Sequence, residues 1–179
     1  MNAEEVLRDC VKSGKTKPKR ERHTQRVVLL CNELAGRFED GKVNLHLLTE
    51  AAWLHDVAKD QSGDDHHRPE AVKAVIDGYK LDDDLDDVTA IISAHRDKFM
   101  PSKHKLESAI LRVCDKIDKL NKAQEKKSEK KIEKKTQEAK EACDKSLRKI
   151  KDSGLLEDED FQVIEQFCSD KVKALEGNM

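Results

Sequence analysis

Ala51-Ala52-Trp53-Leu54-His55-Asp56-Val57-Ala58-Lys59-Asp60 is the stretch on which the reading of this chain turns. Leu47, Ala51, Leu54, His55 and Ala58 recur at the spacing of one buried helical face, with Asn44 placed to cap its start. An imidazole therefore lies on an apolar stripe, and a carboxylate follows it. The same period extends outward on both sides. Upstream it is carried by Val27, Leu30, Cys31, Leu34, Ala35 and Phe38. Downstream, Pro69 and Glu70 open a helix carrying Ala71, Val72, Val75 and Ile76, which Gly78 ends. Val88, Ile91, Ile92 and His95 mark a fourth helix, broken by Pro101-Ser102, and Leu106, Ile110, Val113, Ile117 and Leu120 a fifth. No alternating run of strand length competes. Aromatic residues at 3%, with seven glycines and three prolines, argue against a sandwich or barrel of short strands. The chain is predicted to be all-α.

Charge divides the chain unevenly. The net charge is −2, so no global basic field draws it to nucleic acid or anionic lipid. From Lys116 to Lys151, however, fourteen Lys/Arg face seven Asp/Glu, with sparse apolar residues and no Gly or Pro. That pattern predicts a long, mostly exposed helix ending near Gly154, followed by an amphipathic closing helix through Phe161, Ile164, Phe167, Cys168, Val172 and Leu175. We divide the chain into a helical domain over residues 1–120 and a charged helical arm or hairpin over 121–179. The arm has glutamates between its lysines and no aromatic residues to stack bases, which argues against nucleic acid and favours self-association, as a homodimer, or cover of a site. No run is long and apolar enough to span a membrane, and Met1-Asn2-Ala3-Glu4-Glu5 lacks the apolar core of a secretory signal. Five cysteines, odd in number and without a Cys-x-x-Cys pair, fit reduced thiols. A cytoplasmic location is the expectation.

The chemistry lies in where His and Asp fall. Seven histidines and twenty aspartates predict about 0.8 His-Asp dipeptides by chance, so the pair alone carries nothing. Its context does. His23 sits one turn before Val27, His55 lies with Ala51 and Ala58, His95 continues the Val88–Ile92 stripe, and Asp115 follows Leu111 by one turn. Several helices thus each direct a titratable group inward. Buried carboxylates and imidazoles need partners, and one cation meeting all of them meets that need. Nitrogen and carboxylate ligands suit Fe, Mn, Co, Ni or Zn, and carboxylate-rich variants Mg. His46 and His104 are expected to be ordinary histidines.

The ordered set His23, His55-Asp56, His67, His95, Asp115 resembles the HD superfamily of metal-dependent phosphohydrolases. Leu54 to Asp60 resembles its central motif, Lys19 to Val27 its opening helix, and Leu111-Arg112-Val113-Cys114-Asp115-Lys116 its closing helix, usually written Ala-Asp. His67-Arg68-Pro69-Glu70-Ala71 resembles the third motif; His67 is preferred to His66 because it precedes Ala71 by four. The six-position pattern is similar to small bacterial hydrolases that cleave diadenosine tetraphosphate symmetrically, with departures at Arg96-Asp97-Lys98, after Asp115, and in the arm. The resemblance implies an HD-type helical bundle and two divalent metals. His23, His55, Asp56 and Asp115 would hold one, and Asp56 would bridge to a second on His67 and His95. A metal-activated hydroxide would then cleave phosphoester or phosphoanhydride bonds of a nucleotide-type substrate. Asp56 and Lys59 are the implied catalytic residues. Lys59, with Arg22, Arg26, Arg96 and Lys98, is a candidate for the phosphate, and Asp60 for orienting a ligand. The alternative is a catalytically silent HD-fold scaffold that binds a partner, or itself, through its arm.

Overall fold

In the computed structural model, residues 1–81, 84–95, 103–124 and 129–176 are described, and among them every element is helical. The order is α1 (Ala3–Lys12), α2 (Pro18–Ala35), α3 (Leu45–Leu54), α4 (Lys59–Ser62), a 3₁₀ turn (Gly63–Asp65), α5 (Pro69–Val75), α6 (Leu85–Ala94), α7 (Lys105–Gln124), α8 (Glu129–Ser153) and α9 (Asp158–Glu176). Expected helices recur at α2, α3, α5, α6, α7, α8 and α9. The Pro101-Ser102 break lies outside the described residues. None of the described helices is long and apolar enough to cross a membrane.

Two departures from expectation matter. Helix α1 has no counterpart in the periodicity reading. Its start is written in a capping box: the Asn2 side chain accepts from Glu5 N, and Glu5 Oε2 accepts from Asn2 N. Val6, Leu7 and Cys10 then bury one face. Second, α3 does not continue through Ala58. Asn44 caps it as expected, through Leu47 N, but it stops at Leu54. The chain then winds through tighter turns, with Val57 N bonding Leu54 O at 3.0 Å and Lys59 N bonding Asp56 O at 3.1 Å. Thr16, from the α1–α2 loop, holds this segment by donating to Val57 O at 2.8 Å.

One apolar core runs through the bundle, from Val6 and Leu7 in α1 to Ile164 and Phe167 in α9. Helix α7 is its axis, packing on α2, α3, α6, α8 and α9. Its residues Ala109 to Cys114 are buried on all sides, so it needs cover from both directions. The charged helix α8 supplies that cover with a stripe of small residues, Thr136, Ala139, Cys143 and Ser146, closed by Ile150. It ends at Gly154, whose φ of +59° only glycine adopts at no steric cost. All five cysteines are free and buried, as their spacing predicted.

Phe167 anchors α9, with its ring stacked under Arg37 of the α2–α3 connection and under Lys171. Phe167→Ala should therefore cost about 3–5 kcal/mol, the range for large core deletions. In urea it should lower the midpoint of a single transition. A second, separate transition would show that α8 and α9 fold apart from the rest.

Candidate metal centre

Four imidazoles and two carboxylates meet where the ends of α3, the 3₁₀ turn and α6 face the middles of α2 and α7. His23, His55, Asp56, His66, His95 and Asp115 are all buried. Among the described residues, the ligand atoms of His23, His55 and Asp56 lie within 4.8 Å of one another, as do those of Asp56, His66 and His95. Asp56 belongs to both groups.

Each imidazole is aimed by its other nitrogen. His55 Nδ1 donates to Ala52 O at 2.8 Å, His66 Nδ1 to Gly63 O at 2.6 Å, and His95 Nδ1 to Ile92 O at 2.5 Å. All three sit where a helix or turn has just ended, within reach of the carbonyl three residues back, which for His66 and His95 also accepts their own backbone N–H. His23 lies inside α2, where backbone carbonyls are already taken, and its Nδ1 donates instead to Asp118 Oδ2 of α7 at 2.6 Å. Every Nε2 is thereby left as a lone pair facing the cluster.

The distances then demand a positive charge. His23 Nε2 lies 3.2 Å from His55 Nε2, 3.3 Å from Asp115 Oδ1 and 3.6 Å from Asp56 Oδ2. His66 Nε2 is buried without a hydrogen bond, although Asp56 Oδ1 is 3.2 Å away. Acceptors facing acceptors at such range are repulsive unless a proton or a metal ion lies between them. Metal–ligand bonds of about 2.0–2.2 Å put neighbouring ligand atoms roughly 3–4 Å apart, which is the spacing seen. The residues therefore fit divalent ions, and the N/O donor set suits Fe, Mn, Co, Ni or Zn.

Electrostatics agree with this. Burial works to raise the Asp56 carboxyl, but His55, His66 and Lys59 outweigh it and hold it well below the usual range. Asp115 is likewise held low, against burial, by His23 and Lys116. Burial pushes His55 and His95 down, keeping both imidazoles neutral. On His23 burial also acts downward, yet Asp115 and Asp118 raise it overall.

The structure corrects the third-motif assignment. His66, not His67, enters the cluster. His67 is half-buried at the rim, its Nδ1 on Asp64 O at 2.9 Å and its ring 6.4 Å from that of His95. The four-residue spacing to Ala71 fails because Arg68, the N-cap of α5, is extended at φ −72° and ψ 139°. Helical register does not cross that residue.

The basic candidates separate too. Lys59 Nζ stands 2.9 Å from both oxygens of Asp56. Arg26 is turned to Asp118, with Nε 2.6 Å from Oδ1, and so braces the His23 support. Arg22 is exposed on α2, while Arg96 and Lys98 lie outside the described residues. Asp60 accepts from Lys17 N and from Arg20, tying α4 to the start of α2. Asp118 escaped the sequence reading, although its signal was present: it follows Asp115 by three on one helix face. Lys116 and Lys119 escaped it as well, and both flank Asp115.

The sequence model of the HD domain matches residues 20–120. No curated protein and no solved structure matches the chain.

His66→Ala should lower bound manganese by about one equivalent, and His67→Ala should leave it unchanged, as measured by elemental analysis of the purified variants. Loss on His67→Ala instead would return the ligand to the rim. Asp118→Asn keeps the shape but withdraws the carboxylate from His23. It should weaken metal affinity about 10–100-fold, the usual effect of losing such a support, without loss of helicity.

Proposed function

Because the chain belongs to the HD family, we propose that it is a metal-dependent phosphohydrolase acting on a phosphorylated small molecule of nucleotide type. The observation that supports this most is the set of four imidazoles with Nδ1 anchored and Nε2 converging on Asp56 and Asp115. Divalent ions held there would supply charge to the phosphoryl oxygens and a lowered pKa for an attacking water. Under this reading His23, His55, Asp56 and Asp115 would hold one ion, and Asp56, His66 and His95 would hold a second. The two oxygens of Asp56 suit that role, since Oδ2 faces His23 and Oδ1 faces His66.

The remaining chemistry belongs to the chain itself. Lys59, about one-third exposed, carries its ammonium at the outer side of Asp56, where an incoming phosphate would meet it. No Ser or Cys nucleophile is needed, and burial pushes the Cys143 thiol up to about 12, away from reactivity. The burial of all four imidazoles puts them in surroundings of low dielectric, which strengthens every charge interaction among them.

The test is a screen of the purified chain with Mn, Fe(II), Co or Mg against mononucleotides, dinucleoside polyphosphates, alarmones and cyclic nucleotides. Phosphate release that needs the metal and stops with chelator is expected. Asp56→Ala should abolish it while far-ultraviolet circular dichroism stays helical. A chain that binds metal stoichiometrically yet turns over none of these classes would be a binding scaffold instead.

A further inference from the structure

Asp115 divides its two oxygens. Oδ1 faces the imidazoles, 3.3 Å from His23 Nε2 and 3.9 Å from His55 Nε2. Oδ2 faces outward to two ammoniums, Lys116 at 2.8 Å and Lys119 at 4.0 Å. On the neighbouring carboxylate, Lys59 lies 2.9 Å from both oxygens of Asp56. Lys59, Lys116 and Lys119 are close enough for the first two to repel the third. Three ammoniums thus ring the outer side of the cluster.

They are more than ion pairing requires. Arg20 is balanced by Asp60, and Arg26 by Asp118. Among the described residues, that leaves the three lysines, with whatever divalent ions the cluster holds, paired with Asp56 and Asp115, and Arg20 adds a longer contact of 3.9 Å to Asp56. One divalent ion leaves a surplus of three positive charges, and two ions leave five. A phosphate monoester brings about two negative charges, so it leaves that surplus uncompensated, whereas a second linked phosphate extends the compensation. Like charges one helical turn apart are also mutually destabilising, and an anion between Lys116 and Lys119 relieves that cost. Position agrees with charge. Lys59 stands at Asp56, and the other two lysines stand at Asp115, the second carboxylate of the cluster.

We propose that Lys116 and Lys119 form a second phosphate subsite beside the metal cluster, selecting substrates with two linked phosphates over phosphate monoesters. This rests on the phosphohydrolase reading and narrows its substrate class. Specificity here comes from two residues of α7 that are not themselves ligands.

Calorimetry on the full-length, manganese-loaded chain tests it with two non-hydrolysable probes, methylenediphosphonate and methylphosphonate. The wild type should bind the diphosphonate about a hundredfold more tightly, and each lysine should account for about tenfold of that, as for charge-assisted hydrogen bonds. Lys119→Met, half-exposed and free of packing demands, should narrow the gap about tenfold. The double variant with Lys116→Met should bring it within threefold; because Lys116 also supports Asp115, its manganese content is matched to wild type before titration. Equal binding of the two probes by wild type, or an undiminished gap in Lys119→Met, overturns the subsite. Should the double variant lose its helical signal, the single variant decides. Turnover is not read in this experiment, so an inactive chain that keeps the lysine-dependent gap fails the hydrolase reading but not the subsite. An active chain without the gap does the reverse.

Discussion

A helix leaves its last carbonyls without the donor four residues on, and in this chain three histidine rings bond to carbonyls at such ends. His55, His66 and His95 each follow a helix or turn end and give Nδ1–H to the carbonyl three residues back. One hydrogen bond therefore serves two ends. It gives a carbonyl at a helix or turn end a side-chain donor, and it fixes the tautomer and direction of a ring whose other nitrogen then faces inward. Where that device is impossible, in the middle of α2, a carboxylate from another helix replaces it, and Asp118 holds His23. The site thus depends on where helices stop as much as on which residues they contain.

Concentrating buried carboxylates has a cost that the fold does not hide. Asp56, Asp115 and Asp118 are all nearly or fully buried, and charges taken from water stay ionised only beside compensating groups. Each has its own: Lys59 and the imidazoles for Asp56, Lys116 and His23 for Asp115, Arg26 and His23 for Asp118. Removing a partner strands a charge rather than merely deleting a contact. For that reason the bases near the cluster cannot all be read as substrate groups: Arg26 belongs to the support of His23.

The legibility of these features in the sequence follows the same line. Periodicity showed the helices, because apolar stripes at 3.6-residue spacing depend on burial alone. It placed His23 and Asp115 correctly on helix faces. It put His55 inside a longer helix than exists, since turns wound slightly more tightly than a helix mimic its spacing over four residues. It misjudged His66 against His67 by carrying helical register across Arg68, a residue whose extended backbone resets it. Helix α1 was written in capping chemistry, Asn2 with Glu5, rather than in a long stripe. Asp118 and the two lysines were hidden among many charges, because nothing in composition separates a supporting carboxylate from a solvated one.

The charged arm shows the same limit from the other side. On α8 the described buried positions, Thr136, Ala139, Cys143, Ser146 and Ile150, alternate at three and four residues, the seam of two helices packed side by side. Two of the five are hydroxyl residues, so a hydrophobicity count sees a gap where the structure has a contact face. Their small size is what the contact needs. Helix α7 is buried around most of its girth near Cys114, with Leu111, Val113, Cys114 and Ile117 among the residues it keeps from water. A helix of small residues can approach it closely while keeping lysine and glutamate on its far side. The arm's high charge and its burial against α7 are therefore compatible: the charges hold its outer surface in solvent, and the narrow seam completes the core behind Asp115 and Asp118.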